Sequence, residues 1–378
     1  MVRVKNFLKR EAVLCVAFIL ALISCFFVKP DSEYFSYIDY RTLGILLALM
    51  LTMAGLQKLS VFRQIGEVLV NKMNSIRGVA FVLIGLCFFS SMLITNDVAL
   101  LTFVPFTIVT LSLAKRKDLF IIVIVLETVA ANLGSMLTPL GNPQNLYLYS
   151  LSGMSLSSFI LLMLPYTLVS LVLILVTALL FVKKDAVEEV EISEYKRSKK
   201  DRLKIAMYLA LFLISVLVVA RVLDYRIGLI IVVAAVLIFD IKVFAKPDYS
   251  LLFTFVFLFI FIGNMKRIPE LSAALQVLVT QNEVAVSVGL SQVISNVPAA
   301  ILCSGFTDRI DSLIVGTNLG GLGTLIASMA SLISFKQYSS VENADKKKYI
   351  GVFTITNVLF LILLLLFVVI VNACAARL

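Results

Sequence analysis

The chain has 378 residues, of which 61% are hydrophobic and only 15% charged, with a formal net charge of +10. It contains no histidine, which excludes Ser-His-Asp triads, His-containing metal sites and histidine proton relays. The apolar runs between Glu11 and Ala373 are mostly long enough to cross a bilayer of about 30 Å, which takes about 20 helical residues. They lack the short alternation of an outer-membrane barrel. The expected fold is an all-α polytopic membrane protein of one membrane domain.

Basic residues cluster in short loops, as cytoplasmic loops do, so nucleic acid is not an expected partner. Arg3, Lys5, Lys9 and Arg10 precede a first helix at about 11–28 and place the N-terminus in the cytoplasm. The helix is read as uncleaved, because its apolar stretch is long and no small-residue cleavage site follows. A helix at 40–57 returns to the basic stretch 58–76, "KLSVFRQIGEVLVNKMNSI", whose charges recur at the spacing of an interfacial amphipathic helix.

Residues 79–114 are apolar except at Asn96-Asp97, and both flanks are basic. A single crossing would put one basic flank outside. A re-entrant hairpin with Thr95-Asn96-Asp97 at its tip satisfies both, and such backbone needs a protein or water-filled surround. An acid inside a membrane helix costs roughly 2.5 kcal/mol or more, so Asp97 is a site candidate.

Residues 119–148 then go outward and 157–182 return. A charged cytoplasmic linker covers 183–203. Helices at about 204–221, 226–243 and 250–264 follow, then an amphipathic stretch at 266–281. A second interrupted segment, 283–306, breaks at "ISNVPA"; 311–335 returns inward and 349–373 exits. The count is about nine transmembrane helices and two re-entrant hairpins.

The halves repeat. "ITNDVA" (94–99) pairs with "ISNVPA" (294–299) at an offset of 200, and "ANLGSMLTPLGNPQN" (131–145) with "TNLGGLGTLIASMAS" (317–331) at 186. The charge assignment gives the hairpins opposite mouths, so residues 1–182 and 204–378 read as two inverted repeats. That is a secondary-transporter plan, with its site at the midplane where broken helices meet. Gly134, Pro139, Gly141 and Pro143 break the first outward span, and Gly316, Gly320, Gly321 and Gly323 break 311–335. Freed carbonyls can hold a cation, and freed N–H groups an anion.

The candidate site therefore comprises Thr95, Asn96, Asp97, Asn132, Gly134, Ser135, Thr138, Gly141, Asn142, Pro143 and Asn145 from the first half. Ser295, Asn296, Val297, Pro298, Asn318, Gly320, Gly321, Thr324 and Ser328 come from the second. Glu127, in "LETVAANLG", is a candidate proton site, a structural hydrogen-bonding acid, or an acid near enough to the interface to stay wet. Tyr147 and Tyr149 fit an interfacial aromatic belt, and Arg41, Arg221, Arg226 and Lys336 fit snorkelling positions at helix ends.

"TNDVALLTFVPF", "ANLGSMLTPLGNPQN", "SNVPA" and "NLGGLGTLIASMASL" resemble the ion-transporter superfamily. It includes arsenite permeases, divalent-anion/sodium symporters, citrate-transporter-like proteins and one class of Na⁺/H⁺ antiporters. The resemblance covers nearly the whole chain. It implies a scaffold domain, a mobile transport domain carrying both hairpins, a homodimer and elevator-type alternating access. Sodium-coupled dicarboxylate members carry Ser-Asn-Thr at both tips; the acidic tip here is more similar to the arsenite-permease and antiporter branches.

Two functions stand. One is a secondary transporter of a small anion or oxyanion, arsenite-like or carboxylate, driven by H⁺ or Na⁺ across the cell membrane. The other is a Na⁺/H⁺ antiporter using Asp97. A non-transporting membrane scaffold or insertase has no need of paired broken helices. No cofactor is expected beyond Na⁺ as a coupling ion; the partners are the solute, the cation and the bilayer.

Overall fold

A computed structural model describes residues 11–186 and 198–375. Among these, helices form all the regular structure apart from one isolated β-bridge, Ser75 to Ala186. The expected linker at 183–203 lies largely outside the described residues, as do the basic residues before the first helix.

Helix α1 (Ala12–Phe27) is followed by α2 (Tyr40–Lys58) and the short amphipathic α3 (Val61–Val70). Helices α4 (Ile76–Ile94) and α5 (Asn96–Leu113) form the first hairpin. The next span is broken into α6 (Phe120–Gly134) and α7 (Pro143–Ser152), then comes α8 (Leu156–Phe181). The second half runs α9 (Lys199–Val219), α10 (Tyr225–Asp240), α11 (Tyr249–Lys266) and α12 (Pro269–Gln281). Helices α13 (Glu283–Ile294) and α14 (Asn296–Ser304) form the second hairpin. A broken pair, α15 (Ile310–Leu319) and α16 (Met329–Ser339), precedes α17 (Lys346–Ala375).

Polar caps set the starts of these apolar helices. Asp39, Ser75, Asn142, Ser155, Asp248 and Asn282 each accept a hydrogen bond from a backbone N–H in the first turn, satisfying a donor that the helix itself leaves unpaired. Ser198 and Asp201 make a reciprocal capping box.

Among the described residues, nine helical segments are long and apolar enough to cross a membrane. The count matches the expectation, but the membership differs. Both arms of the first hairpin qualify on their own, at 19 and 18 residues. The helix expected at 11–28 is a 16-residue α1, about 24 Å long, and the segment 311–335 is split by its glycines. The arms of the second hairpin have only 12 and 9 residues, about 18 and 14 Å, too short to cross. Helix α12 meets α13 at a bend of 108°.

Helix α6 is the most completely buried span, enclosed by α4, α5, α8, α16 and α17. Helices α2, α9 and α10 pack against one another, tied by Asp240, which takes Lys58 at 2.7 Å and Lys204 at 3.2 Å. Helix α1 packs along α11. Their loops are joined by Arg267, which bonds Asp31 at 2.7 Å; this hydrogen bond holds the Asp31 carboxyl below its usual range.

The two hairpins open toward opposite ends of α8. At its C-terminal end, Val182 accepts from Arg77 at 2.7 Å, and Asp185 binds Ile76 N–H at 2.9 Å and Arg116 at 2.6 Å. At the other end, Ser304 of the second hairpin meets Tyr147 at 2.9 Å, in α7, which stops just before α8. The 26-residue α8 separates the two by up to about 39 Å.

Tyr147 and Tyr149 are buried inside the protein, not set in a lipid-facing belt. Tyr147 is held by Ser304, and Tyr149 lies under the Arg221 guanidinium, 5.0 Å from the ring centre. Arg221 lies exposed just after α9. It donates to the carbonyls of Gly153 and Tyr149 at 2.8 and 3.1 Å, which closes the turn after α7.

Candidate functional site

The tips of the two hairpins have the same backbone. Thr95 has φ 70° and ψ 147°, and Ser295 has φ 75° and ψ 155°. This region is essentially restricted to glycine and costs of order 1–3 kcal/mol for a residue with a side chain. It persists because each tip is tethered. Asn96 N–H donates to Gly141 O at 3.0 Å, and Asn296 N–H to Ala327 O at 2.9 Å.

Further contacts repeat at the two offsets seen in the sequence, 200 within the hairpins and 186 within the breaks. The Thr138 hydroxyl donates to Met92 O, and the Thr324 hydroxyl to Gln292 O at 3.1 Å. Gly134 and Gly320 let the broken spans approach the hairpins so closely that an added Cβ would lie 2.8 Å from Ser91 Oγ and 2.6 Å from Ser291 Oγ. Each half therefore builds one unit from a tip and a break.

Buried amides join the units. Asn132 Oδ1 accepts from Asn96 Nδ2 at 3.1 Å and from Ser328 Oγ at 3.0 Å. Asn318 Oδ1 accepts from Asn142 Nδ2 at 3.0 Å, and Asn318 Nδ2 donates to Asn145 Oδ1 at 2.5 Å. Asn142 also reaches Ser135 at 3.2 Å. These groups are all buried, and a satisfied buried network fixes geometry, because each broken link would leave an unpaired polar group.

Between the units lies a cavity of about 20 Å³ lined by Asn96, Asp97, Pro143, Gln144, Leu251, Asn296, Val297, Ser328 and Met329. That is room for a water-sized group. Asp97, Pro143, Leu251 and Met329 also border a chamber of about 170 Å³, with Thr95, Asn142, Gln57, Lys246 and Asp248 in its wall. A second chamber of about 170 Å³ meets the other tip at Ser295, Val297 and Pro298, with Lys336 and again Asp248 in its wall. A further cavity at the opposite end, beside Tyr147 and Ser304, reaches neither tip.

Of the candidate residues, Asn96, Asp97, Pro143, Asn296, Val297 and Ser328 are brought to one cavity. Thr95, Asn142, Ser295 and Pro298 border the adjoining chambers. Asn132, Ser135, Asn145 and Asn318 stand behind as the network. Gly134, Thr138, Gly141, Gly320 and Thr324 dock the tips, and Gly321 leaves space beside Asn296 Nδ2, 3.0 Å from where its Cβ would be.

Glu127 lies apart, about 7.5 Å along α6 from Asn132. It is fully buried, which excludes a wet interfacial position. The Thr107 hydroxyl donates to Oε1, while Oε2 has no hydrogen-bond partner among the described residues.

The sequence reasoning missed Gln144, Gln292, Asp248 and Lys246. Gln144 was within a quoted motif. Gln292 stands at the offset of 200 from Met92, a polar residue where the first half has an apolar one. The other two come from the α10–α11 loop, and no local pattern links that loop to the tips.

Residues 5–306 match the citrate transporter family. The chain is 33% identical to an uncharacterized transporter of Methanocaldococcus jannaschii over 306 residues, covering 80% of this chain and 82% of the relative. It is 31% identical to inner membrane protein YbiR of Escherichia coli over 306 residues, 79% and 80% of the two chains. A silicon efflux transporter of Oryza sativa subsp. japonica is 31% identical over 148 residues, 38% of this chain and 29% of the relative. With helices that suit a bilayer and a site built between paired helix breaks, the chain belongs to the citrate transporter family and is a multi-pass membrane transporter, not an enzyme.

Proposed function

We propose that this transporter is a secondary active carrier of a small anion or oxyanion, coupled to H⁺ or Na⁺, that works by elevator-type alternating access. The observation that carries the reading is the meeting of two strained tips at one small cavity, each tip docked to the break of its own half. Two inverted repeats, 1–182 and 204–378, account for the shared offsets and for the opposed mouths. In this reading α2, α9 and α10 belong to the scaffold, and the hairpins with their breaks form the moving unit. The protein resides in the cell membrane as a homodimer, with its N-terminus in the cytoplasm.

The chemistry of the lining narrows the solute. Amides and hydroxyls from Asn96, Asn296, Gln144 and Ser328 offer donors and acceptors without a full charge, and the one ionisable lining group is an acid, Asp97. Such a lining suits an uncharged or weakly charged oxyacid, of the arsenite or silicic acid kind, better than a carboxylate bearing several charges. The family's description names citrate and a relative is named for silicon, so both classes belong in the assay.

Asp97 is the coupling group in this reading, and cation binding competes with protonation at a single carboxylate. Glu127 is a second proton carrier. Its Oε2, which has no hydrogen-bond partner among the described residues, is where a proton would ride.

The test is uptake by proteoliposomes of arsenite, silicic acid, citrate, succinate and phosphate under imposed H⁺ and Na⁺ gradients. One solute should accumulate in wild type, and Asp97→Asn should lose accumulation at least tenfold. Accumulation by the Asn variant at the wild-type level would make Asp97 structural. Glu127→Gln, which mimics the neutral acid, should fold and bind solute but respond less to the pH gradient. The Na⁺/H⁺ antiporter remains the second reading, favoured by the acid that only the first tip carries. It requires Na⁺ efflux with no solute of the panel.

A further inference from the structure

Where a transporter helix is unwound, its freed carbonyls are the usual ligands of a coupling cation. Both breaks here present such carbonyls, and in both a side-chain amide nitrogen stands among them. At the first break, Asn145 Nδ2 donates to Ser135 O at 3.3 Å, Met136 O at 3.4 Å and Thr138 O at 3.2 Å. At the second, Gln292 Nε2 donates to Gly320 O and Leu322 O, each at 3.0 Å, and to Val288 O of its own helix at 3.2 Å.

The orientation of each amide is determined by its oxygen. Asn145 Oδ1 accepts from Asn318 Nδ2 at 2.5 Å, and Gln292 Oε1 accepts from the Thr324 N–H at 2.9 Å. Turning either amide over would set an oxygen against two or three carbonyls and strand a donor, a penalty that is greatest at the fully buried Asn145.

The two fillings are not copies of one another. At the repeat offsets, Asn145 corresponds to Ser331 and Gln292 to Met92, and neither of those side chains carries an amide. One nitrogen comes from the second part of a broken span, α7, and the other from a hairpin arm, α13. The two fillings share one equivalent pair of carbonyls, Met136 O and Leu322 O, and reach it by different means. A neutral amide satisfies those oxygens without bringing a charge into the membrane interior, and a cation needs the same oxygens in direct contact.

We propose that Asn145 and Gln292 take the place of a coupling cation at the two breaks, so that neither broken helix binds Na⁺ and any ion exchanged at the tips is taken by Asp97. The proposal rests on the transporter reading for its meaning, but its test needs no transported solute, so the two can fail separately.

Thermal unfolding of the purified protein is compared in NaCl and in choline chloride at equal ionic strength, for wild type, Asp97→Asn and Gln292→Ala. Wild type should show either no Na⁺-specific rise in melting temperature or one that vanishes in Asp97→Asn. A Na⁺-specific rise that survives in Asp97→Asn places the ion at a break and overturns the proposal. Gln292→Ala removes the nitrogen and leaves Gly320 O and Leu322 O without their donor. Its melting temperature should fall in choline chloride and recover in part in NaCl. An equal fall in both salts would show that the amide does not stand where a cation can, and would also overturn the proposal. If Gln292→Ala does not fold, the comparison of wild type with Asp97→Asn still decides.

Discussion

Thr95-Asn96-Asp97 and Ser295-Asn296-Val297 reverse the chain with nearly the same backbone angles and dock on equivalent carbonyls, yet one ends in an acid and the other in an apolar residue. Asp97 is partly open to a chamber, while Val297 is buried. The shared part is the geometry that presents an amide to the cavity. The difference is charge, and electrostatics gives a reason for it. Two carboxylates about 5 Å apart would repel by about 3 kcal/mol at an effective dielectric constant of 20. The cavity of about 20 Å³ between the tips holds no more than a water-sized group to screen them from each other. In the proposed mechanism one acid provides an exchangeable charge, and a second would set the tips against each other. The supports differ too: long arms carry the acidic tip, and arms too short to cross carry the other.

The largest expected effect separates the two docking glycines. At Gly134 an added Cβ would lie 2.1 Å from the Phe88 carbonyl oxygen, a backbone atom that cannot turn aside. At Gly320 the nearest atoms are Ser291 Oγ at 2.6 Å, which a rotamer change can move, and Ser291 Cβ at 2.8 Å, which only a small shift of the arm relieves. Overpacking typically costs about 1–3 kcal/mol. Gly134→Ala should reach or exceed the top of that range and Gly320→Ala should cost less, as read from thermal unfolding in detergent. Equal losses would mean that the two halves are equally rigid at this contact.

The next effect separates the two tip amides. Asn96 binds Asn132 through Nδ2 and the Asp97 N–H at 2.9 Å through Oδ1, whereas the Asn296 side chain makes no hydrogen bond among the described residues and lines the cavity. Asn96→Ala and Asn296→Ala should each weaken apparent affinity for the accumulated solute at least tenfold, about 1.4 kcal/mol. Asn96→Ala should also lose about 1 kcal/mol of stability, the ordinary net worth of a lost hydrogen bond. Asn296→Ala should melt as wild type does. A loss of stability without a loss of affinity in both variants would make the tips structural caps only.

Much of this was legible in the chain itself. Helix positions followed from apolar run length, the breaks from clustered Gly and Pro, and the pairing of the halves from two offsets between short motifs. The offsets proved informative because they recur as contacts: Met92 and Gln292 accept from Thr138 and Thr324. What could not be read were partners supplied from afar. Asp240 sits in an apolar helix and is compensated by Lys58 and Lys204, and Asn264 reaches Ser24 and Tyr34, more than 200 residues away. Helical periodicity assigns a face to such residues but not a neighbour. Asn145 is a case of the same kind: the motif places it among the candidates, and only the geometry shows its nitrogen turned toward the carbonyls of the first break.

The smallest effect concerns the strain that the tips share. Glycine adopts the Thr95 and Ser295 conformation without steric cost, so Thr95→Gly and Ser295→Gly should each recover part of the 1–3 kcal/mol estimated for a side-chain-bearing residue there. Against that, glycine gains freedom in the unfolded chain, which costs roughly 0.5–1 kcal/mol. The net expectation is a rise of about 1 kcal/mol or less. It should be larger at Thr95, whose hydroxyl makes no hydrogen bond among the described residues, than at Ser295, whose hydroxyl donates to Ala327 O at 3.4 Å. Differential scanning fluorimetry on the two variants and wild type can resolve this. A clear loss of stability in Thr95→Gly would mean that the threonine side chain holds the first tip by packing, and the likeness between the tips would then stop at their backbone.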